Sequence, residues 1–337
     1  MLLVFLATEG ADGWNPTGVT VNNNDQRFKI GTGEESGCIT DNLTGLMWAN
    51  KDLRRIYRWQ PALDLITDIN VKNGFCGHKD WHLPTNFELI SLINYGSSNL
   101  IDNLISEGFN IPQSSNYNFW SSTNYWFAPT NAVWHVSFSE YNLVGISAKT
   151  FNDYYVLPVR RVNKPSFAAP AQVPVTGQSN GEPADSGFYS GVPWPNPRFV
   201  MGRGATESCV TDKLTGLMWV KDLNSVKING DIDGAATTWL NALASVKQAN
   251  STTRYCGYTD WRLPNINELR SMINYSIVHP YWWLNSYFAN VKEINYMSST
   301  ISEVDKHDVW GISFKDGYIG RFPRDVMTNV WPVRGGR

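Results

Sequence analysis

Charge is scarce in this chain. Only 17% of its 337 residues are Asp, Glu, Lys or Arg, and the formal net charge is -2 with a pI near 6.2. Such a chain has no broad basic field, and so no electrostatic footprint for nucleic acid. Long apolar runs are also missing: nothing approaches the roughly 20 consecutive apolar residues of a membrane helix. The opening Met1–Ala7 segment is apolar but lacks a basic n-region and is short for a signal core, so it reads as a strand. The five histidines, His78, His82, His135, His279 and His307, share no repeated position, which removes a duplicated catalytic histidine. There is no GxSxG elbow for a nucleophilic serine, and no CxxC pair or His cluster for zinc. What fills the gap is aromatic, with 15 Trp, 15 Tyr and 15 Phe. Those rings either build the core or form a binding surface, where Trp and Tyr are the usual anchors.

The chain is written twice. Cys38-Ile-Thr-Asp-Asn-Leu-Thr-Gly-Leu-Met-Trp48 matches Cys209-Val-Thr-Asp-Lys-Leu-Thr-Gly-Leu-Met-Trp219. Cys76-Gly-His-Lys-Asp-Trp-His-Leu-Pro84 matches Cys256-Gly-Tyr-Thr-Asp-Trp-Arg-Leu-Pro264, and Ser121-Ser-Thr123 matches Ser298-Ser-Thr300. Trp134 answers to Trp310, and Pro158-Val-Arg160 to Pro332-Val-Arg334. The composition places copy one at residues 1–163, a Pro- and Ala-containing linker at 164–169, and copy two at 170–337, with Ala171–Gln178 taking the place of Leu2–Glu9. Each copy is long enough to bury its own core.

Two cysteines per copy stand at equivalent places. Of the three pairings, only Cys38 with Cys76 and Cys209 with Cys256 respects the duplication. Closing loops of this length stabilises each copy by roughly 4 kcal/mol in the chain-entropy model and implies an oxidising compartment. The alternative is two buried free thiols per copy.

Most duplicated polar residues have a structural reading. Thr85-x-x-Glu88 and Asn265-x-x-Glu268 are capping boxes, so both glutamates read as helix caps rather than catalytic acids. Helices are expected through Trp59–Ile69 and Trp239–Ala249, and half-buried strands over Trp134–Phe138 and Val309–Phe314. Asp80 and Asp260, each before a Trp, read as hydrogen-bond anchors, and the Ser-Ser-Thr motifs as a turn or strand start. One calcium-like half-loop stands apart: Asn229, Asp231 and Asp233 alternate before Gly234. Its twelfth position is Leu240 where a bidentate Glu belongs, and copy one has no equivalent, so a turn-rich insertion is the simpler reading. Calcium is the one cofactor in view; otherwise none is expected.

The rings concentrate in the insertions. Tyr117, Trp120, Tyr125 and Trp126 in copy one, and Trp282, Trp283 and Tyr287 in copy two, lie among Asn and Ser. Rings beside amides suit a glycan face or a protein epitope, with stacking on one side and hydrogen bonds on the other. These seven are the candidate ligand-binding residues.

Thr-Gly-Leu-Met-Trp, Asp-Trp-Arg-Leu-Pro and Pro-Val-Arg, together with the lead-in Pro193-Trp-Pro-Asn-Pro-Arg-Phe199, resemble the Lcl C-terminal domain family over nearly the whole chain, twice. The resemblance implies an α+β fold of two tandem C-type-lectin-like domains. Each would have a small twisted antiparallel sheet with its terminal strands paired, two helices and long irregular loops. It further implies an exported, non-enzymatic binding protein or adhesin at the cell surface, taking glycan or protein ligands. His82 departs from the family's Arg, which puts in doubt for copy one any salt bridge made by Arg262. The calcium–sugar motifs of animal lectins do not occur. The alternative function is a self-assembling subunit of an extracellular filament or other homo-oligomer, with exposed strands such as Leu2–Ala7 pairing between chains.

Overall fold

The computed structural model describes residues 26–51, 55–112, 117–139, 143–162, 172–178, 191–228, 231–232 and 236–335. Leu2–Ala7, the linker and the calcium-loop residues Asn229 and Asp233 lie outside them. Two units form, both α+β; their described parts run to Pro193 and from Trp194.

In the first unit β1 (Phe28–Ile30), β2 (Cys38–Asp41) and β3 (Leu46–Ala49) form a small antiparallel meander. The β2–β3 turn is fixed by Asp41, whose carboxylate accepts from Leu43 N while its carbonyl accepts from Gly45 N, with Gly45 at φ 74°. Only glycine takes that conformation without strain, which accounts for the Thr-Gly of the motif. Asp41 is fully buried, and Arg27 answers it with two hydrogen bonds while donating a third to Ser91 O.

After β4 (Ile56–Tyr57) come α1 (Trp59–Val71), α2 (Asn86–Ser91) and α3 (Leu100–Ser106). The chain then enters β5 (Asn118–Asn124), β6 (Ala132–Ser137), β7 (Val144–Ala148), β8 (Tyr154–Tyr155) and β9 (Val159–Arg161). The larger sheet has the order β4-β8-β5-β6-β7. The smaller has the order β1-β2-β3-β9, so the last strand pairs with β3, and β1 lies at the opposite edge. The last strand thus closes on the third among the described residues; the expected first strand, Leu2–Ala7, lies outside them.

The second unit repeats the plan. Its β10 (Phe199–Met201), β11 (Cys209–Asp212) and β12 (Leu217–Val220) precede two short strands, β13 (Lys227–Ile228) and β14 (Asp231–Ile232). Next are α4 (Trp239–Ser251), α5 (Ile266–Ser271), α6 (Pro280–Leu284), β15 (Asn295–Ile301), β16 (Asp308–Ser313), β17 (Ile319–Pro323) and β18 (Val333–Gly335). Sheet order is β10-β11-β12-β18 and β15-β16-β17. Asp212, Gly216 and Arg198 reproduce the buried turn of Asp41, Gly45 and Arg27, down to the bond from Arg198 to Ser271 O.

Both disulfides form as the duplication requires, Cys38–Cys76 and Cys209–Cys256. Each joins its unit's second strand to the loop before the Asp-Trp motif, where Trp81 and Trp261 are buried with their indole N–H donating to Phe75 O and Tyr255 O. The Asn70 and Asn250 amides clasp the backbone of those tryptophans from the ends of α1 and α4.

The Ser-Ser-Thr motifs sit at matching irregularities in β5 and β15, where pairing with the next strand shifts register. A bulge leaves backbone groups without ladder partners, and here other elements take them up. The Trp59 and Trp239 indoles donate to Ser121 O and Ser298 O, while Ser122 N and Ser299 N donate to Pro84 O and Pro264 O. Thr123 Oγ1 and Thr300 Oγ1 accept from Asn86 N and Ile266 N, the first amides of α2 and α5. Each motif is therefore the hub on which two helices are pinned to the larger sheet.

The division between units differs from the composition. Residues 172–178 and 191–193, expected in copy two, belong to the first unit. Arg161 Nη2 donates to Val173 O, and Gln178 exchanges two hydrogen bonds with the backbone of Asn124.

Candidate ligand-binding loops

The duplicated acids are all held by structure. Glu88 and Glu268 are fully buried and complete capping boxes at the starts of α2 and α5. Glu268 is gripped bidentately by Arg262, both contacts 2.6 Å, whereas at the matching position Glu88 meets the ring of His82, Nε2 lying 3.2 Å from both oxygens. In the first unit the Arg161 guanidinium also feels this carboxylate: burial pulls it below the usual range, and the charge of Glu88 acts against that fall. Arg161 stands two positions after Val159, where the second unit has Gly335 two after Val333, and Gly335 O accepts from Arg262. The arginine that interacts with the buried glutamate thus comes from the last strand in the first unit and from the Asp-Trp-Arg motif in the second.

Asp80 and Asp260 anchor the last strands. Burial pushes the Asp80 carboxyl up, but the hydrogen bonds and charge of Arg160 hold it below the ordinary carboxylate range; Arg334 does the same for the more exposed Asp260. Among the described residues no group of three His, Cys, Asp or Glu is placed to hold a metal. Asp231 contributes its backbone to β14.

The aromatic candidates separate into core and surface. Trp120 is a correction: it is 0% exposed, donates its indole N–H to Tyr57 O and stacks 4.6 Å from Tyr154. It sits in β5, where six of seven residues are buried, so it belongs to the core. Tyr117 is half-buried at the approach to β5, its carbonyl accepting from Phe138 N. Trp283 and Tyr287 are half-buried in a ring cluster with Phe199, at centroid distances of 5.4 and 5.0 Å, and Trp194 lies 5.6 Å from Trp283. The Arg198 guanidinium lies over Trp194 and Phe199, so this cluster covers the buried Arg198–Asp212 pair.

Among the described residues, three Trp or Phe rings of copy one and one of copy two are exposed. The β5–β6 loop carries Tyr125, Trp126 and Phe127; Tyr125 packs edge-on against Trp134, whereas Trp126 is 41% and Phe127 75% exposed. Trp282 is 58% exposed beside His279, whose Nδ1–H donates to Lys315 O. Sequence reasoning missed Phe151, 84% exposed in the β7–β8 turn. It is a lone ring in a polar stretch, without the clustering that drew attention to the others. The two loops lie together: Lys149 N donates to Asn131 O and Lys149 Nζ to Pro129 O.

His135 has a setting of its own. Its Nδ1 shares a 2.9 Å hydrogen bond with Ser147 Oγ, which in turn lies 2.9 Å from Tyr154 OH, and burial drives the imidazole pKa down to about 4. Gly145 makes the room, since a Cβ there would stand 2.4 Å from the ring. In the second unit the positions of His135 and Ser147 are taken by Gly311 and Phe322, and the Phe322 ring lies 2.8 Å from where a Gly311 Cβ would be. One space is filled from one strand in the first unit and from its neighbour in the second.

No helix among the described residues is long and apolar enough to cross a membrane. No curated protein sequence matches the chain. The family model of the Lcl C-terminal domain matches residues 37–160 and again 208–334. These spans begin just before the first cysteine of each unit and end at the last strand, enclosing both disulfides, both capping boxes and both bulges. The chain belongs to the Lcl C-terminal domain family, whose domain it carries in tandem.

Proposed function

We propose that this is an exported, non-enzymatic ligand-binding protein of the adhesin type, acting at the cell exterior and engaging a glycan or protein through exposed rings on its loops. The observation that carries the reading is a contrast between neighbouring rings: Phe119 and Trp120 are sealed in the core, whereas Trp126 and Phe127 a few residues later stand in solvent, as does Phe151 in the adjoining loop. Large exposed rings have no role in stability and fit a contact surface. Two disulfides suit an oxidising compartment, and the family includes surface adhesins. The non-enzymatic part rests on the duplicated acids, each of which caps a helix, fixes a turn or pairs with an arginine.

The test is binding of the full chain to cell-surface or matrix extract before and after Trp126→Ala with Phe127→Ala, and separately Trp282→Ala. Binding is expected to fall while the thermal transition stays in place. Unchanged binding in both variants overturns the assignment of the contact to these loops.

A further inference from the structure

The tip of the first unit is chemically unusual in what surrounds its rings. Its two loops, residues 125–132 and 146–153, contain one cation and one anion. The cation, Lys149, is buried, donates to Pro129 O and lies 3.9 Å over the Trp59 ring. The anion, Asp153, faces Arg58 at the start of α1. In solvent stand Trp126, Phe127 and Phe151, with Ile146, Thr130, Asn131 and Thr150 among them, and at the margin the exposed Arg58–Asp153 pair, whose opposite charges offset each other. The equivalent segments of the second unit are of another kind. Ser302–His307 carries Glu303, Asp305 and Lys306, with Lys306 paired to Glu303, and residues 321–328 add Arg321, Arg324 and Asp325, their one ring being the half-buried Phe322.

Resting on the ligand-binding reading above, the geometry points to an uncharged saccharide as the ligand of the first unit's tip. The C–H face of a neutral pyranose is apolar and stacks on a ring, and its equatorial hydroxyls are met by neutral hydroxyl and amide groups. A sulfated, sialylated or uronate-rich glycan needs Arg or Lys to face its anions, and an anionic bilayer needs the same. The one cation in these loops is already held by a carbonyl and a ring.

The experiment uses the full chain and calorimetric titration with cellotetraose, chitotetraose and mannotetraose as neutral probes. A chondroitin sulfate tetrasaccharide and sialyllactose serve as anionic probes, and phosphatidylcholine vesicles as a bilayer. Binding of at least one neutral probe is expected, unchanged between low and high salt. It should weaken by about tenfold or more, the loss of a single good ring contact, in Trp126→Ala/Phe127→Ala and in Phe151→Ala. Val71→Ala, at an exposed position at the end of α1, should leave it intact. Hydrogen exchange of the variants confirms that the sheet is unaltered. Binding confined to the anionic probes or to vesicles overturns the inference, as does neutral binding indifferent to the three tip rings. If no saccharide binds but a protein partner is still lost with those rings, the saccharide inference falls and the contact assignment stands. If no ligand responds to the rings, both fall.

Discussion

The two units carry the same scaffold residues and solve the same packing problems with different side chains. Glu88 and Glu268 are equally buried, yet one faces His82 with Arg161 behind it and the other a bidentate Arg262. The space beneath the larger sheet's outer strands is filled by His135 over Gly145 in one unit and by Phe322 over Gly311 in the other. What is constant is the volume and the charge required; the strand that supplies them is free to change. A buried carboxylate tolerates either arrangement because its cost depends on having cations and donors nearby, not on where in the sequence they come from.

The largest expected effect tests what the units share. Replacing either cysteine pair by serine should cost about 4 kcal/mol in its own unit, because the enclosed separations of 38 and 47 residues are similar in loop-closure entropy. Urea unfolding followed by hydrogen exchange in each unit measures this, and losses differing more than twofold would show unequal scaffolds. Next, Arg262→Ala removes the bidentate partner of the buried Glu268 and should destabilise the second unit by about 3 kcal/mol. His82→Ala should cost the first only about 1 kcal/mol, since Arg161 still faces Glu88. Equal losses would mean that Arg161 contributes nothing there.

Acid separates the units in a third way. In the unfolded chain His135 takes a proton near pH 6.5, while in the folded unit it stays neutral down to about 4. The unfolded state binds more protons across that window, so the first unit should lose stability as the pH falls from 6.5 to 4, by about 3 kcal/mol in all. His135→Gln should flatten that part of the profile, and Gly311 gives the second unit no such slope. An unchanged profile in the variant would mean that the imidazole is charged in the folded state. The smallest effect concerns a feature the units nearly share: Lys149 lies over Trp59 and Arg324 over Trp239 at the starts of α1 and α4. Lys149→Met and Arg324→Met should each cost about 1 kcal/mol.

The scaffold was legible because its determinants are local. Asp41 and Gly45 fix a turn within five residues, Thr85 and Glu88 cap a helix within four, and the cysteines recur in register. The rings were not legible, because β5 is covered on both faces and offers no alternation to separate Trp120 from Trp126 six positions later. His135 looked isolated because its partners, Ser147 and Tyr154, come from other strands. The unit boundary moved because Val173 and Gln178 are tied to Arg161 and Asn124 by hydrogen bonds that composition does not record.

The Ser-Ser-Thr bulge has one more consequence. The strand leaves it at Asn124 or Ile301 and enters the tip loop at once, so every tip starts from a point clamped by an indole, a proline carbonyl and a helix amide. Changes beyond that clamp are mechanically insulated from the rest of the fold. The tip can therefore differ between the units, with Trp126 and Phe127 on one and Glu303, Asp305 and Lys306 on the other, while the same clamp holds the bulge in both.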